Sequence, residues 1–159
     1  MADLDVRIVE LPPMRVASFW GFGREPEGIA WEKLLAWSRP RRLLDDPEAH
    51  PLYGFNNPDP SPGSPNYGYE AWISVDPATE PEEEAGVRIL GFDGGLYAVT
   101  RCEVPKGDFD VIGKSWKRLV AWREDSPYRC GAHQWLEQSL PETRPDLEFV
   151  LDLYLPIAE

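Results

Sequence analysis

Zinc chemistry and disulfide frameworks find little to work with in this chain. It has two cysteines, Cys102 and Cys130, and two histidines, His50 and His133. The cysteines form no Cys-x-x-Cys pair, so no metal site is expected, and nothing in their spacing asks for a disulfide. Basic residues are also scarce: 16 Lys and Arg stand against 28 Asp and Glu, a net charge of −12. That balance opposes nucleic-acid binding, whose affinity comes largely from cations placed on phosphates. It also disfavours anionic membrane surfaces. It suits cationic ligands, which an acidic surface attracts at range, although solubility uses the same charges. No apolar run approaches the roughly 18 residues of a membrane span, and no cationic apolar leader is present, so a cytoplasmic protein is the default. A Gly-x-Ser-x-Gly elbow and a phosphate-cradling glycine loop are both missing. No reaction class is signed, and no cofactor is expected.

Aromatic side chains, by contrast, are plentiful. Seven Trp, six Tyr and six Phe in 159 residues exclude a wholly disordered chain and fit a single domain over 1–159. Some of these rings are expected to line a cavity, the rest to pack. Their placement follows a repeat. Trp31-Glu32-Lys33-Leu34-Leu35-Ala36-Trp37 is echoed by Trp116-Lys117-Arg118-Leu119-Val120-Ala121-Trp122. Upstream, Val6-Arg7-Ile8-Val9 is echoed by Val87-Arg88-Ile89-Leu90, and downstream Glu70-Ala71-Trp72 by Asp152-Leu153-Tyr154. The halves 1–76 and 87–159, joined by an acidic Pro/Glu-rich linker at 77–86 (Glu80, Glu82, Glu83, Glu84), read as two copies of one unit. Such a unit seldom buries its apolar face alone, so the copies are expected to pack together.

Patterning predicts the elements. Residues 5–11 and 14–20 read as extended, interrupted by Pro12-Pro13. A helix is expected over 29–44, with Trp31, Leu34, Leu35 and Ser38 on one face and Pro40 at its end or kink. Strands follow at 52–57 and 67–75, around a proline-rich loop. The second half repeats the order: strands at 87–92 and 96–104, a helix capped by Asp108 and closed by Pro127, then strands at 133–140 and 147–157. Each half is thus β–α–β–β. The fold class is α+β: a curved antiparallel sheet carrying two helices on one face, with a central ligand cleft between the halves.

Strand parity selects the candidate site. Phe149, Leu151, Leu153 and Leu155 must face a helix, which leaves Asp152 and Tyr154 on the opposite side. Likewise Glu70 and Trp72 lie opposite Tyr69, Ala71, Ile73 and Val75. Tyr53 and Phe55, with Asn57, are expected as neighbouring walls, and so are Trp135 and Glu137. A buried carboxylate among rings is costly unless paired, and a flat cation relieves that cost. An acid alternating with an aromatic also describes a solvated outer face; the duplication is what favours a pocket. His50, His133 and Cys102 are read as structural.

With these residues in hand, the chain resembles the GyrI-like small-molecule-binding domain, the effector-binding domain of AraC-type regulators. The resemblance runs nearly the whole length. It rests on Val6-Arg7-Ile8-Val9-Glu10-Leu11-Pro12-Pro13-Met14-Arg15-Val16-Ala17, on the strand Tyr67 to Val75, and on Asp152-Leu153-Tyr154-Leu155-Pro156-Ile157. It implies tandem βαββ units with a cleft whose glutamate, in a Glu-x-Tyr on the last strand, meets lipophilic cations. Here that position is Asp152, one methylene shorter, so Glu70 or Glu137 is an alternative source of charge. The family resemblance implies three functions. One is a free-standing binder of aromatic or cationic small molecules, expected here because no helix-turn-helix precedes Val6. Another is a hydrolase of strained cyclopropane-type electrophiles, for which Asp152, Glu70 and Tyr154 are the catalytic candidates. The third is an interaction module for a protein partner such as a topoisomerase.

Overall fold

A computed structural model describes residues 4–80 and 87–159; Glu82, Glu83 and Glu84 of the expected linker lie outside the described residues. The strands are β1 (Arg7–Leu11), β2 (Met14–Gly23), β3 (Leu52–Asn56), β4 (Tyr67–Val75), β5 (Arg88–Phe92), β6 (Gly95–Pro105), β7 (Arg129–Cys130), β8 (Leu136–Ser139) and β9 (Leu147–Ala158). The helices are α1 (Pro26–Ser38) and α2 (Asp110–Glu124), with a short 3₁₀ turn at Leu43–Asp45. All described pairings are antiparallel, and the fold is α+β. No described helix is long and apolar enough to cross a membrane.

The chain forms two compact units, Pro13–Asp93 and Met1–Pro12 with Gly94–Glu159. In the first unit the strand order is β3-β4-β2-β5, and α1 packs on one face. In the second the order is β1-β6-β9-β8, with β7 also on β9 and α2 packed on one face. Pro12-Pro13 therefore separates two strands in different units, since two consecutive prolines offer the ladder no N–H donors. The first half of the sequence reads β–β–α–β–β and the second β–β–α–β–β–β, against the expected β–α–β–β for each.

The repeated Trp-x-x-Leu motif anchors each helix to its sheet. Leu34 and Leu119 occupy its leucine position, and both are fully buried. Trp31 packs against Tyr69 at a centroid distance of 6.3 Å, and Trp116 against Trp135 at 5.3 Å. The buried stripe of α1 is Pro26, Ala30, Leu34, Trp37 and Ser38, spaced for one helical face. It is turned slightly from the expected one, with Trp31 and Leu35 only partly buried. Close approach explains the turn: a Cβ on Gly21 would sit 2.5 Å from the Pro26 carbonyl oxygen, so only glycine lets the helix start lie so near β2.

Three expected boundaries move. Helix α1 begins at Pro26, where the ring's fixed φ suits a first turn, and ends at Ser38, two residues before Pro40. Helix α2 starts after Phe109 without a side-chain cap, so Asp108 is not its N-cap. Strand β8 is confined to Leu136–Ser139; His133, expected at its start, lies ahead of it with its Nε2 2.7 Å from the Leu96 carbonyl oxygen.

At the start of β4, the Tyr67 hydroxyl donates to the Glu27 carboxylate on α1. Burial first, then the hydrogen bond and charge of Glu27, push the Tyr67 pKa up to about 12. A raised folded-state value means the folded chain holds this proton more tightly. The stabilisation is complete below the unfolded tyrosine value of about 10 and is lost as pH rises toward about 12. Ultraviolet titration of tyrosinate should show a late-ionising component that Tyr67→Phe reduces by one tyrosine and Glu27→Gln shifts downward.

Candidate functional site

Both acid–aromatic echoes lie on the face of their sheet that turns away from the helix. In β4, Tyr69, Ala71, Ile73 and Val75 join the α1 core, and Glu70 and Trp72 point the other way. In β9, Leu151, Leu153, Leu155 and Ile157 join the α2 core, and Asp152 and Tyr154 point the other way. Burial is matched: Glu70 is 5% and Asp152 7% exposed, and Trp72 and Tyr154 are each 6%. These are not solvated outer faces.

The surroundings of the two acids differ. Glu70 accepts from three neutral donors: Ser18 Oγ at 2.5 Å and Trp72 Nε1 at 3.3 Å on Oε1, and Asn57 Nδ2 at 3.0 Å on Oε2. No ion pair reaches it among the described residues. Rings crowd the same face. Trp72 meets Phe55 edge-on at 5.0 Å and Phe92 at 5.3 Å, Tyr53 stands opposite Trp72 in the ladder, and Trp20 stands opposite Glu70. Trp20 is half exposed, stacks on Phe22 at 5.7 Å, and donates from Nε1 to the Asn57 carbonyl at 2.7 Å. A carboxylate held by neutral donors alone has no internal cation to be displaced before a ligand cation arrives.

Asp152 is instead neutralised within its own unit. Arg7 Nη2 donates to Oδ2 at 2.8 Å, while Oδ1 is buried without a hydrogen-bond partner. Arg101, opposite Asp152 in the ladder, turns to Glu103 at 3.0 Å and to Glu142. Tyr154 donates its hydroxyl to Gln138 Oε1 at 2.8 Å and meets Tyr97 edge-on at 5.3 Å. Burial, then the Asp152 charge, push the Tyr154 hydroxyl up, with Arg7 opposing. At neutral pH it is a hydrogen-bond donor, unsuited to act as a base.

Trp135 and Glu137 are not neighbours of this face. Glu137 pairs in register with Leu153, which puts it on the helix side, where it accepts from Trp116 Nε1 at 3.0 Å. Trp135 is half exposed against Trp116. Both were expected as walls beside Asp152; the register of β8 against β9 assigns that place to Leu136 and Gln138. Sequence reading also passed over Ser18, Trp20 and Arg7. The one available signal was that Arg7 and Arg88 are themselves an echo. They occupy matching places, Arg7 beside Val99 and Arg88 beside Ser18. Yet Arg88 is exposed and makes no ion pair with the described residues. Part of the difference is Ser18, which offers Glu70 a hydroxyl where Val99 offers Asp152 none; Asn57 and Trp72 supply the other two donors.

The buried thiol of Cys102, raised by burial, packs in the α2 core. Among the described residues, no group of three His, Cys, Asp or Glu is placed to hold a metal ion.

Comparison with known proteins agrees with this architecture. The C-terminal domain of EcmrR superposes with a TM-score of 0.72 over 98% of both chains at 13% identity. SAV2435, solved bound to tetraphenylphosphonium, gives 0.56 at 8% identity, covering 98% of this chain and 94% of that one. At these identities the likeness is one of fold. A DNA gyrase inhibitor of Cronobacter sakazakii is 31% identical over 80 residues, 50% of this chain, and the chain spans about half (49%) of that relative's length. The family model of Cass2, integron-associated effector-binding proteins, matches residues 7–157. That span runs from the arginine paired with Asp152 to the last core residue of β9, and with it the chain belongs to the integron-associated effector-binding protein family.

Proposed function

We propose that this protein binds lipophilic aromatic cations, and that Glu70 is the carboxylate that receives their charge. One observation carries the reading: Glu70 is buried among Trp72, Phe55, Phe92 and Trp20 and held only by neutral donors. A delocalised cation supplies the missing charge, lies on ring faces, and needs no hydrogen bond, since the Glu70 oxygens already accept three. The family's effector-binding description and the tetraphenylphosphonium complex of a protein of the same fold support this class of ligand.

Tryptophan fluorescence titration with tetraphenylphosphonium, its neutral analogue triphenylphosphine oxide and the anion tetraphenylborate tests the reading. The cation should bind at least about tenfold tighter than either analogue, because a desolvated cation–carboxylate pairing contributes more than about 1.4 kcal/mol. Glu70→Gln keeps the shape and should remove that preference. Equal affinity for the anion, or an unchanged preference in Glu70→Gln, overturns it.

A further inference from the structure

The two buried acids occupy matching strand positions, and the chain fills them differently. Arg7 reaches Asp152 from β1, and its side chain remains 55% exposed while that of Asp152 is 10% exposed. The pair is thus a buried acceptor capped by a guanidinium that keeps one side in water. Its lone hydrogen bond uses one carboxylate oxygen, and the other, Oδ1, is buried with no donor. Native interiors rarely leave such an oxygen empty. Among the described residues Arg7 reaches no acceptor besides Asp152, so its release breaks one ion pair. The neighbouring Arg101 is engaged with Glu103 and Glu142.

We infer that Arg7 is a specificity-determining residue. It is an internal cation seated on Asp152 that shuts this carboxylate to permanently charged cations and reserves Oδ1 for a ligand bringing an N–H or O–H donor. Amidines, guanidines and primary amines are the matching class. Quaternary cations have no donor to offer Oδ1 and cannot replace the hydrogen bond that Arg7 makes. The chain would then sort cations by chemistry, with diffuse ones at Glu70 and donor-bearing ones at Asp152. The inference shares with the proposed function the premise that these faces receive ligand, but it concerns a different carboxylate and is tested without any ligand of Glu70.

The probe is methylguanidinium, the head of the arginine side chain. In wild-type protein methylguanidinium competes with Arg7, so thermal shift should show saturable stabilisation at least about tenfold weaker than in the variant without Arg7. Arg7→Ala opens the carboxylate, and methylguanidinium should then stabilise the variant saturably. Tetramethylammonium, with equal charge and no donor, should do so at least about tenfold less tightly, the worth of a hydrogen bond to a charged group. Arg7→Ala combined with Asp152→Asn should lose the response. Arg7→Gln, which keeps side-chain length, replaces Arg7→Ala if the latter does not fold. A methylguanidinium response equal in wild type and variant overturns the inference. So does tetramethylammonium matching it, or no response in either Arg7 variant, which is the result if Arg101 swings in to take the site. Failure of tetraphenylphosphonium to bind wild type would sink the Glu70 reading and leave these arms unaffected.

Discussion

Gly68→Ala is expected to destabilise the protein by about 3 kcal/mol and to weaken cation binding at the same time. The backbone of Gly68 is not in a left-handed conformation; the constraint is space. A Cβ there would lie 1.9 Å from the Asn57 carbonyl oxygen and 2.6 Å from its carbon, both main-chain atoms that no rotamer change can move. The two residues are also joined, with Asn57 N–H donating to the Gly68 carbonyl at 2.8 Å and Gly68 N–H to that of Pro58 at 3.0 Å. Added volume must therefore shift the segment that carries Asn57. That same residue donates to Glu70 and accepts from Trp20, so the shift reaches the acid. Melting should fall by roughly 6–12 °C for a chain of this size. Gly28→Ala and Gly113→Ala, where an added methyl meets nothing within 4 Å in α1 and α2, should instead raise stability by up to about 1 kcal/mol. A loss at all three sites would mean that glycine flexibility, and not close approach, sets the cost.

Leu119→Ala is expected to cost about 3–4 kcal/mol in chemical denaturation, within the range for a fully buried leucine. The reason lies in how little else holds α2. Of its 15 residues only Leu119 is fully buried; Ile112, Trp116 and Val120 pack on the same core from partly exposed positions. Removing the leucine leaves a gap facing Leu151, Leu153 and Cys102 that rigid strands close poorly. Leu34→Ala, the twin position in α1, should cost less, since Ala30 and Trp37 are buried beside it and share the anchoring. The reverse order would show that contact with the strands, not the helix's own buried stripe, decides the penalty.

Parity was the part of the site that local sequence could reveal. Leu151, Leu153 and Leu155 are apolar at every second position, which fixes Asp152 and Tyr154 to the other face whatever the partner strands are. The same logic placed Glu70 and Trp72. What local pattern cannot reveal is who stands opposite. Arg7 and Asp152 are 145 residues apart, and Ser18 and Glu70 are 52 apart; each meeting follows from ladder register. Glu137 was misplaced for that reason. In Leu136–Ser139 only four residues are in the strand, too few for alternation to show which side is buried, and the ladder with Leu153 settled it. Helix limits were legible only in part: Pro40 was read as the end or kink of α1, which stops at Ser38, while the start was expected at Ile29 and lies at Pro26.

The pairing of β1 with β6, and of β5 with β2, means that neither half of the gene encodes a finished sheet. Residues 7–11 belong with 94–159, and residues 88–92 belong with 13–75. A protein made of one such half would carry an orphan edge strand and could satisfy it only by trading that strand with a second molecule. Joined in one polypeptide, the trade becomes intramolecular, and it is the traded strand, through Arg7, that delivers the counter-charge to Asp152.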